Sequence, residues 1–364
     1  MNDIVILNPA GFIGGAEKSL LEFIKLYSNR INVVIFPFEG ILCSELKKIG
    51  VEYKIINPDD DFNEISRTSG KLTQLYSFYK YSLKIYKFLK NRKFKYIYSN
   101  GLKTNIISVL LKILLYDKKV IWHFRDINSK GINYIFNFLS VFTKNIICNS
   151  EYTLSQFFTN KAVLIYNPIF FKNNYNIFKK KNSMFKTKKI CILGHITKLK
   201  NIHTAILSLK YLDKDYILNI YGECPYKTES MEYKKKLEKI IIDENLNNRV
   251  FFHNFNKNVK SIYLENDLLL SVSTKESFGR TAFEALFFNL PVIVSKTGFF
   301  YDKCYDFPFI IPLNKLNPMF ISEKIKIVFN NYTHYSKKNI VFFMKLKDEF
   351  DTIEVNKKII KLFK

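Results

Sequence analysis

The chain has 364 residues, too many for one comfortable hydrophobic core, so two domains are expected. Hydrophobic residues make up 48% and charged residues 24%, which excludes a disordered chain, and the longest apolar run, Ile106 to Tyr116, is too short for a bilayer and carries Lys112. A net charge of +25 points to an anionic partner (phosphorylated ligands, an acidic membrane surface or nucleic acid) or to a surface that uses Lys by default.

The N-terminus, Met1-Asn-Asp-Ile-Val-Ile-Leu, enters a strand directly and has no basic n-region, so no secretory signal is expected. Cys43, Cys148, Cys191, Cys224 and Cys304 are scattered without metal or redox spacing, as expected of reduced thiols in a cytoplasmic protein. Ile4-Val-Ile-Leu reads as a first buried strand. Asn8-Pro-Ala-Gly-Phe-Ile-Gly-Gly-Ala-Glu then forms a loop turning into a helix, with Gly14 and Gly15 permitting close backbone approach by a ligand or a plain turn. Strands are expected at Val33–Phe36, Tyr53–Ile56, Tyr96–Tyr98, Val120–Trp122, Ile146–Cys148 and Val163–Ile165, with helical patterns between them. That alternation predicts a doubly wound parallel sheet, whose ligands lie beyond the carboxyl ends of the strands. Polar groups stand at those ends: Ser99-Asn100, His123-Phe-Arg125-Asp126 and Asn149-Ser150.

Between Lys71 and Lys95 there are eight basic residues and no acid. A helix is predicted there with Leu72, Leu75, Tyr79, Tyr86 and Leu89 on one face and Lys80, Lys84 and Lys87 on another. It fits either a solvated helix packed on the sheet or a docking face for anionic lipid.

After Tyr166-Asn-Pro the residues up to Lys189 are polar, Lys-rich and aperiodic, as in a linker. A second α/β series opens at Ile190-Cys-Ile-Leu-Gly-His and runs through strands at Ile217–Tyr221, Val250–Phe252, Leu268–Val272, Val292–Val294 and Phe309–Ile311. Its helices are expected at Ser230–Asn245 and Met319–Phe329, and a basic helix at about Lys345–Phe363 ends the chain. The expected domains are 1–170, a linker over 171–189, 190–335, and a helical segment 336–364 that crosses back to the first domain. Asp213-Lys-Asp215 has the form of a metal-diphosphate motif but sits in a turn, where carboxylates are common. No Gly-x-Gly-x-x-Gly or P-loop is present, so hydride transfer and NTP hydrolysis lack their signatures.

The most informative stretch is Leu268-Leu-Leu-Ser-Val-Ser-Thr-Lys-Glu-Ser-Phe-Gly-Arg-Thr-Ala-Phe-Glu-Ala-Leu: a buried strand, a turn, and a helix opening at Gly279. Free N–H groups and the dipole at such a helix start suit a phosphate. The flanking carboxylates of Glu276 and Glu284 suit sugar hydroxyls. Phosphate between two sugars describes a nucleotide sugar.

Here the chain resembles the family 4 glycosyltransferases, retaining enzymes with the GT-B fold of two facing Rossmann-like domains and an interdomain cleft. Gly14-Gly15-Ala16-Glu17 looks like that family's first loop, Trp122-His123 its strand-end histidine, Gly194 through Asn201 its Gly-Arg…Lys-Gly loop, and Glu276 through Glu284 its E-x7-E signature. The resemblance covers roughly residues 3 to 330.

It implies that Glu284 takes the nucleotide ribose and Glu276 touches the donor sugar, while the N–H groups around Ser277, Phe278, Gly279 and Arg280 hold the distal phosphate. Lys200 neutralises the diphosphate, with Gly194 and His195 beside it. His123 lies on the sugar's face, and Gly15 approaches the phosphate from the first domain. Where the family has Arg and then Gly, this chain has His195 and Asn201; Arg280 is expected to compensate for the missing guanidinium.

The expected activity is retaining transfer from a UDP- or GDP-sugar, without an obligatory metal or other cofactor, to a glycan acceptor. A lipid-linked saccharide of surface polysaccharide assembly (O-antigen, capsule or lipopolysaccharide) is the first expectation. The enzyme would then work as a peripheral protein at the inner face of the cytoplasmic membrane. The alternatives are a soluble sugar-phosphate or protein acceptor, or a non-catalytic nucleotide-sugar-binding subunit. Nucleic acid is not expected as a partner, because the charge is spread over both halves without a recognised module.

Overall fold

The computed structural model describes residues 2–58, 72–169, 186–224, 227–254, 258–306, 310–336 and 349–364. The chain forms two compact units, Met1–Pro168 with Glu349–Lys364, and Ile169–Asp348.

In the first unit seven parallel strands are ordered β3-β2-β1-β4-β5-β6-β7: β1 Ile4–Leu7, β2 Ile31–Phe36, β3 Tyr53–Ile55, β4 Tyr96–Asn100, β5 Lys119–Phe124, β6 Asn145–Cys148 and β7 Ala162–Leu164. Their near-continuous apolar runs follow from burial on both faces. Helices α1 (Gly15–Leu26) and α2 (Ile41–Ile49) cover one face, and α3 (Leu72–Leu89), α4 (Leu102–Leu114) and α5 (Lys130–Leu139) the other. Strand order reverses between β1 and β4, so a ligand crevice is expected at their carboxyl ends.

The C-terminal helix Thr352–Lys361 belongs to this unit. Asp351 caps it, its side chain accepting from the N–H groups of Ile353 (2.8 Å) and Glu354 (3.1 Å). Val355, Ile359 and Phe363 are buried with α1, and Phe363 packs edge-on against Tyr98 with ring centroids 5.6 Å apart. Residues 345–348 at the start of the helix expected over about Lys345–Phe363, and residues 171–185 of the expected linker, lie outside the described residues, while Lys188 and Lys189 already pair within a strand.

Helix α3 forms where expected, but on a different face. Phe78, Tyr81, Ser82, Ile85 and Leu89 are buried, whereas Leu75 and Tyr79 are exposed along with Tyr76. Leu72's side chain is outside the described set. Lys80, Lys84 and Lys87 are exposed as expected, but aromatic and aliphatic residues fill most of the other positions, so the apolar face is too broad for periodicity to fix its centre.

The second unit is a six-stranded parallel sheet ordered β10-β9-β8-β11-β12-β13: β8 Lys188–Leu193, β9 Tyr216–Tyr221, β10 Val250–His253, β11 Leu268–Ser271, β12 Val292–Ser295 and β13 Ile310–Leu313. Helices α6 (Glu151–Leu154, in the first unit), α7 (Ile202–Ser208), α8 (Lys227–Asp243), α9 (Val259–Glu265), α10 (Arg280–Phe287), α11 (Phe300–Lys303) and α12 (Pro318–Asn330) complete the main series. Here the order reverses between β8 and β11, whose loops carry Gly194–Asn201 and Glu276. Asp213 and Asp215 serve the scaffold: Asp215 pairs with Lys188 at 2.9 Å and the Asp213 carbonyl accepts from Arg249 at 2.8 Å.

Candidate active site

Two loops at the switch point of the second unit are tied together by backbone. The Thr274 N–H donates to the Leu199 carbonyl at 2.9 Å, and the Gly194 N–H to the Tyr221 carbonyl at 3.0 Å. Gly194 adopts φ +133°, and a Cβ there would lie 3.2 Å from Lys200 Cε, so the lysine stem runs over the glycine. Asn201 has φ +53° and is buried, with Thr204 Oγ1 donating to its Oδ1 at 2.7 Å. Asparagine is among the few non-glycine residues that take this left-handed conformation readily.

Lys200 Nζ donates to Glu276 Oε2 at 2.6 Å, and the Gly279 N–H donates to Glu276 Oε1 at 3.2 Å. Helix α10 begins at Arg280, with Gly279 (φ +87°) as its N-cap, one residue later than the sequence suggested. The left-handed glycine turns the chain so that the carboxylate covers the helix start. Burial pushes the Glu276 carboxyl up. The Lys200 ammonium and the Gly279 and Phe278 N–H groups outweigh it and hold the carboxyl below its ordinary 4.5.

A folded-state value below the unfolded one means that the pair stabilises the protein above that ordinary value. The contribution is lost as pH falls through the lowered value. Lys200→Met should therefore lower the melting temperature at neutral pH, and the gap to wild type should close under acid conditions. Thermal melts across pH check this; a gap independent of pH contradicts it.

The loop is shaped from behind by Gly298 (φ +56°): a Cβ there would meet the Glu276 carbonyl oxygen at 1.9 Å and that of Ser277 at 2.4 Å. Thr297 Oγ1 accepts from the Glu276 N–H at 3.3 Å, and Phe299 N–H donates to the Ser277 carbonyl at 3.2 Å. Phe278 is buried, stacked on Phe283 with centroids 5.0 Å apart, so its side chain anchors the turn. Across the sheet ends, a Cβ on Gly222 would lie 1.9 Å from the Gly194 carbonyl oxygen. Gly222 and Gly298 read in the sequence as isolated turn residues; their role is close backbone approach.

Glu284 lies on α10, where Tyr263 Oη is 3.1 Å from its Oε2 and 3.2 Å from the Thr281 carbonyl. Burial, then the Glu284 charge, push the Tyr263 phenol well up, so it stays a donor that holds one carboxylate oxygen. His195 is held below its ordinary value by burial and by the neighbouring Lys200 ammonium. It is therefore neutral near pH 7 and adds no charge where the family has a guanidinium. The same loops border a cavity of about 330 Å³ whose lining mixes the hydroxyls of Ser273, Thr274, Ser295 and Thr297 with Lys296 and the apolar Leu313 and Leu316. Among the described residues, no group of three or more His, Cys, Asp or Glu side chains is placed to hold a metal ion.

The first unit carries Gly15 and His123. Gly15 is the first residue of α1, with open space where a Cβ would stand. The neighbouring Gly14 N–H already donates to Glu17 Oε2 at 3.0 Å, so this helix start carries its own buried carboxyl. His123 is the penultimate residue of β5, pairs in register with Asn100 of β4, and is buried. Its Nδ1 lies 2.5 Å from Tyr98 Oη and 3.0 Å from an Arg125 guanidinium nitrogen. The structure thus gathers Gly194, Lys200, Glu276, Gly279 and the α10 start with Arg280 in one unit, beside Glu284, while Gly15 and His123 stand at the sheet end of the other. Tyr263 and Tyr98, the phenols that hold Glu284 and His123, carry no local signal in the sequence.

Residues 174–340 match the family described as Glycosyl transferases group 1. An uncharacterized 41.2 kDa protein in the cps region of Klebsiella pneumoniae is 27% identical over 282 residues, 68% of this chain and 74% of that protein. The fold is similar to that of Anabaena Alr3699/HepE in complex with UDP and glucose, with a TM-score of 0.80 at 19% identity over 100% of this chain and 99% of that one. The apo form of the lipopolysaccharide outer core galactosyltransferase WaaB gives a TM-score of 0.70 at 13% identity, covering 99% of both chains. The second unit thus carries a group 1 glycosyl transferase domain, the chain has the GT-B fold, and the protein is a glycosyltransferase.

Proposed function

We propose that the protein transfers a sugar with retention from a nucleotide-diphosphate sugar, UDP- or GDP-linked, to a glycan acceptor, and that no metal ion is obligatory. The observation that carries this reading is the Lys200–Glu276–Gly279 arrangement at the start of α10. An arriving diphosphate would draw Lys200 and the helix-start N–H groups to itself. Glu276 would be released to accept from donor-sugar hydroxyls, and Glu284 would take the ribose diol. As the bond to the sugar breaks, charge grows on the leaving diphosphate, where Lys200, Arg280 and the helix dipole stabilise it.

UDP is the first donor to test, since the Anabaena protein of the same fold is solved with UDP-glucose. A thermal-shift screen of nucleotide sugars in EDTA tests the reading, because a ligand bound only by the folded state raises apparent stability. A stabilising nucleotide sugar is expected; no shift with any of them contradicts it.

A lipid-linked acceptor at an anionic membrane face fits the surface of the first unit. Leu75, Tyr76 and Tyr79 are exposed on α3 beside Lys80, and Tyr134, Ile135 and Phe138 are exposed on α5, with exposed Val141 just beyond it and exposed Phe158, whose N–H donates to Asn137 Oδ1 of α5 at 2.7 Å. No helix among the described residues is long and apolar enough to cross a membrane, so attachment would be peripheral. The cps-region relative favours surface polysaccharide as the product. Flotation with anionic liposomes at low salt should carry the protein upward; protein left in the soluble fraction would contradict the membrane part alone.

A further inference from the structure

We infer that Arg125 is a positioning residue that fixes His123 as the neutral tautomer with an unprotonated Nδ1, so that the ring serves as a hydrogen-bond donor through Nε2–H and not as a base. A guanidinium has no lone pair to offer; it only donates. The 3.0 Å contact therefore requires the lone pair on Nδ1, and the ring proton must sit on Nε2. Tyr98 Oη, 2.5 Å from the same nitrogen, agrees with this, since the phenol can accept from Arg125 while directing its own proton at Nδ1.

Arg125 is itself constrained. It is buried, its guanidinium donates to the Ala16 carbonyl at 3.4 Å, and the Glu17 carboxyl on α1, itself pushed up by burial, offsets only part of the cost of burying its charge. Arg125 is the first residue after β5, and its guanidinium reaches back to the ring two positions earlier. His123 Nε2 is buried without a hydrogen-bond partner. Buried donors are rarely left so, and this one is poised for an acceptor oxygen that arrives with a ligand.

The charged and titratable groups around the ring are Tyr98 on β4, Arg125 and Asp126 after β5, and Glu17 on α1. Burial first, then the Arg125 charge, hold the imidazole well below its ordinary value, while burial raises Tyr98 to about 12. Neither group changes charge in the physiological range. That the acceptor is a donor-sugar oxygen rests on the glycosyl-transfer reading above; the tautomer does not.

The test is long-range proton–nitrogen NMR on the full chain with labelled histidine, the His123 signals being assigned by their loss in His123→Gln. Between about pH 5 and 8 the wild-type ring should stay neutral with Nε2 protonated. Arg125→Gln should let the ring exchange tautomers and titrate within that range, and Arg125→Lys, which also only donates, should restore the wild-type pattern. In transfer assays Arg125→Gln should lose about 10- to 100-fold in kcat/KM and gain an acid limb absent from wild type, again restored by lysine. A wild-type ring protonated at Nδ1 or charged near neutral pH overturns the inference, whatever the folding of the variants. A correct tautomer in a wild-type chain that transfers no sugar would instead overturn the functional reading and leave this one standing.

Discussion

Replacing Lys200 with alanine is expected to lower kcat/KM for sugar transfer by about 10²- to 10³-fold, roughly 3–4 kcal/mol of transition-state stabilisation. The ammonium sits 2.6 Å from Glu276 at the start of α10 and is only a quarter exposed, so water screens it little. Charge on the diphosphate grows as the glycosidic bond breaks, so the loss should fall mainly on kcat, with KM changed less. His195 is neutral and adds no charge, and the loop's other cation, Lys198, is exposed and lies 3.7 Å from Glu229.

Arg280, the first residue of α10, is the remaining candidate. Arg280→Ala should also cost several kcal/mol, about a hundredfold or more in kcat. The double variant should lose less than the sum, since both act on one leaving group. Steady-state kinetics of the three variants in EDTA check this; full turnover in Arg280→Ala would show that the family's missing arginine has no substitute here.

Gly298→Ala is expected to be the most damaging change outside the charged residues. Its Cβ would overlap the carbonyl oxygens of Glu276 and Ser277, which are backbone atoms and cannot swing aside, and φ +56° is itself unfavourable for alanine. Overpacking and strain together come to about 3 kcal/mol or more, so the melting temperature should fall by about 10 °C. Activity should fall further than folding accounts for, because the displaced loop carries the Glu276 carboxylate. Gly131→Ala is the control: it lies in α5 with nothing within 4 Å of a built Cβ, and should leave stability unchanged or slightly raised. Calorimetry of both variants, with kinetics well below the melting point, distinguishes a structural glycine from one that shapes the site; a Gly298→Ala protein with wild-type melting and turnover would contradict the account.

The sequence made the strands legible because each is a short apolar run between turn signals, and their alternation with helices indicates parallel, doubly wound sheets. The Glu276–Glu284 element was legible because its chemistry is local: strand, turn, left-handed glycine, helix. What lay hidden depends on contacts far apart in the chain. Gly298 and Gly222 look like ordinary turn glycines until the carbonyls of Glu276 and Gly194 are seen against them. Tyr263 reaches Glu284 across 21 positions and Tyr98 reaches His123 across 25, which no spacing rule detects. The buried side of α3 was misread for the opposite reason: too many of its residues are apolar for periodicity to select one face. The His123–Arg125 pair was open to reading, since the two flank one residue at a strand end, but its consequence for the ring proton needed the distance.

Release of free nucleotide and transfer of sugar by the purified full-length chain, measured with UDP-hexoses in EDTA and a glycan acceptor, tests the central claim most directly. Wild type should turn over in EDTA, with Lys200→Ala and Glu276→Ala each reduced by at least about a hundredfold while remaining folded. Wild-type turnover abolished by EDTA, or undiminished turnover in those two variants, would contradict it.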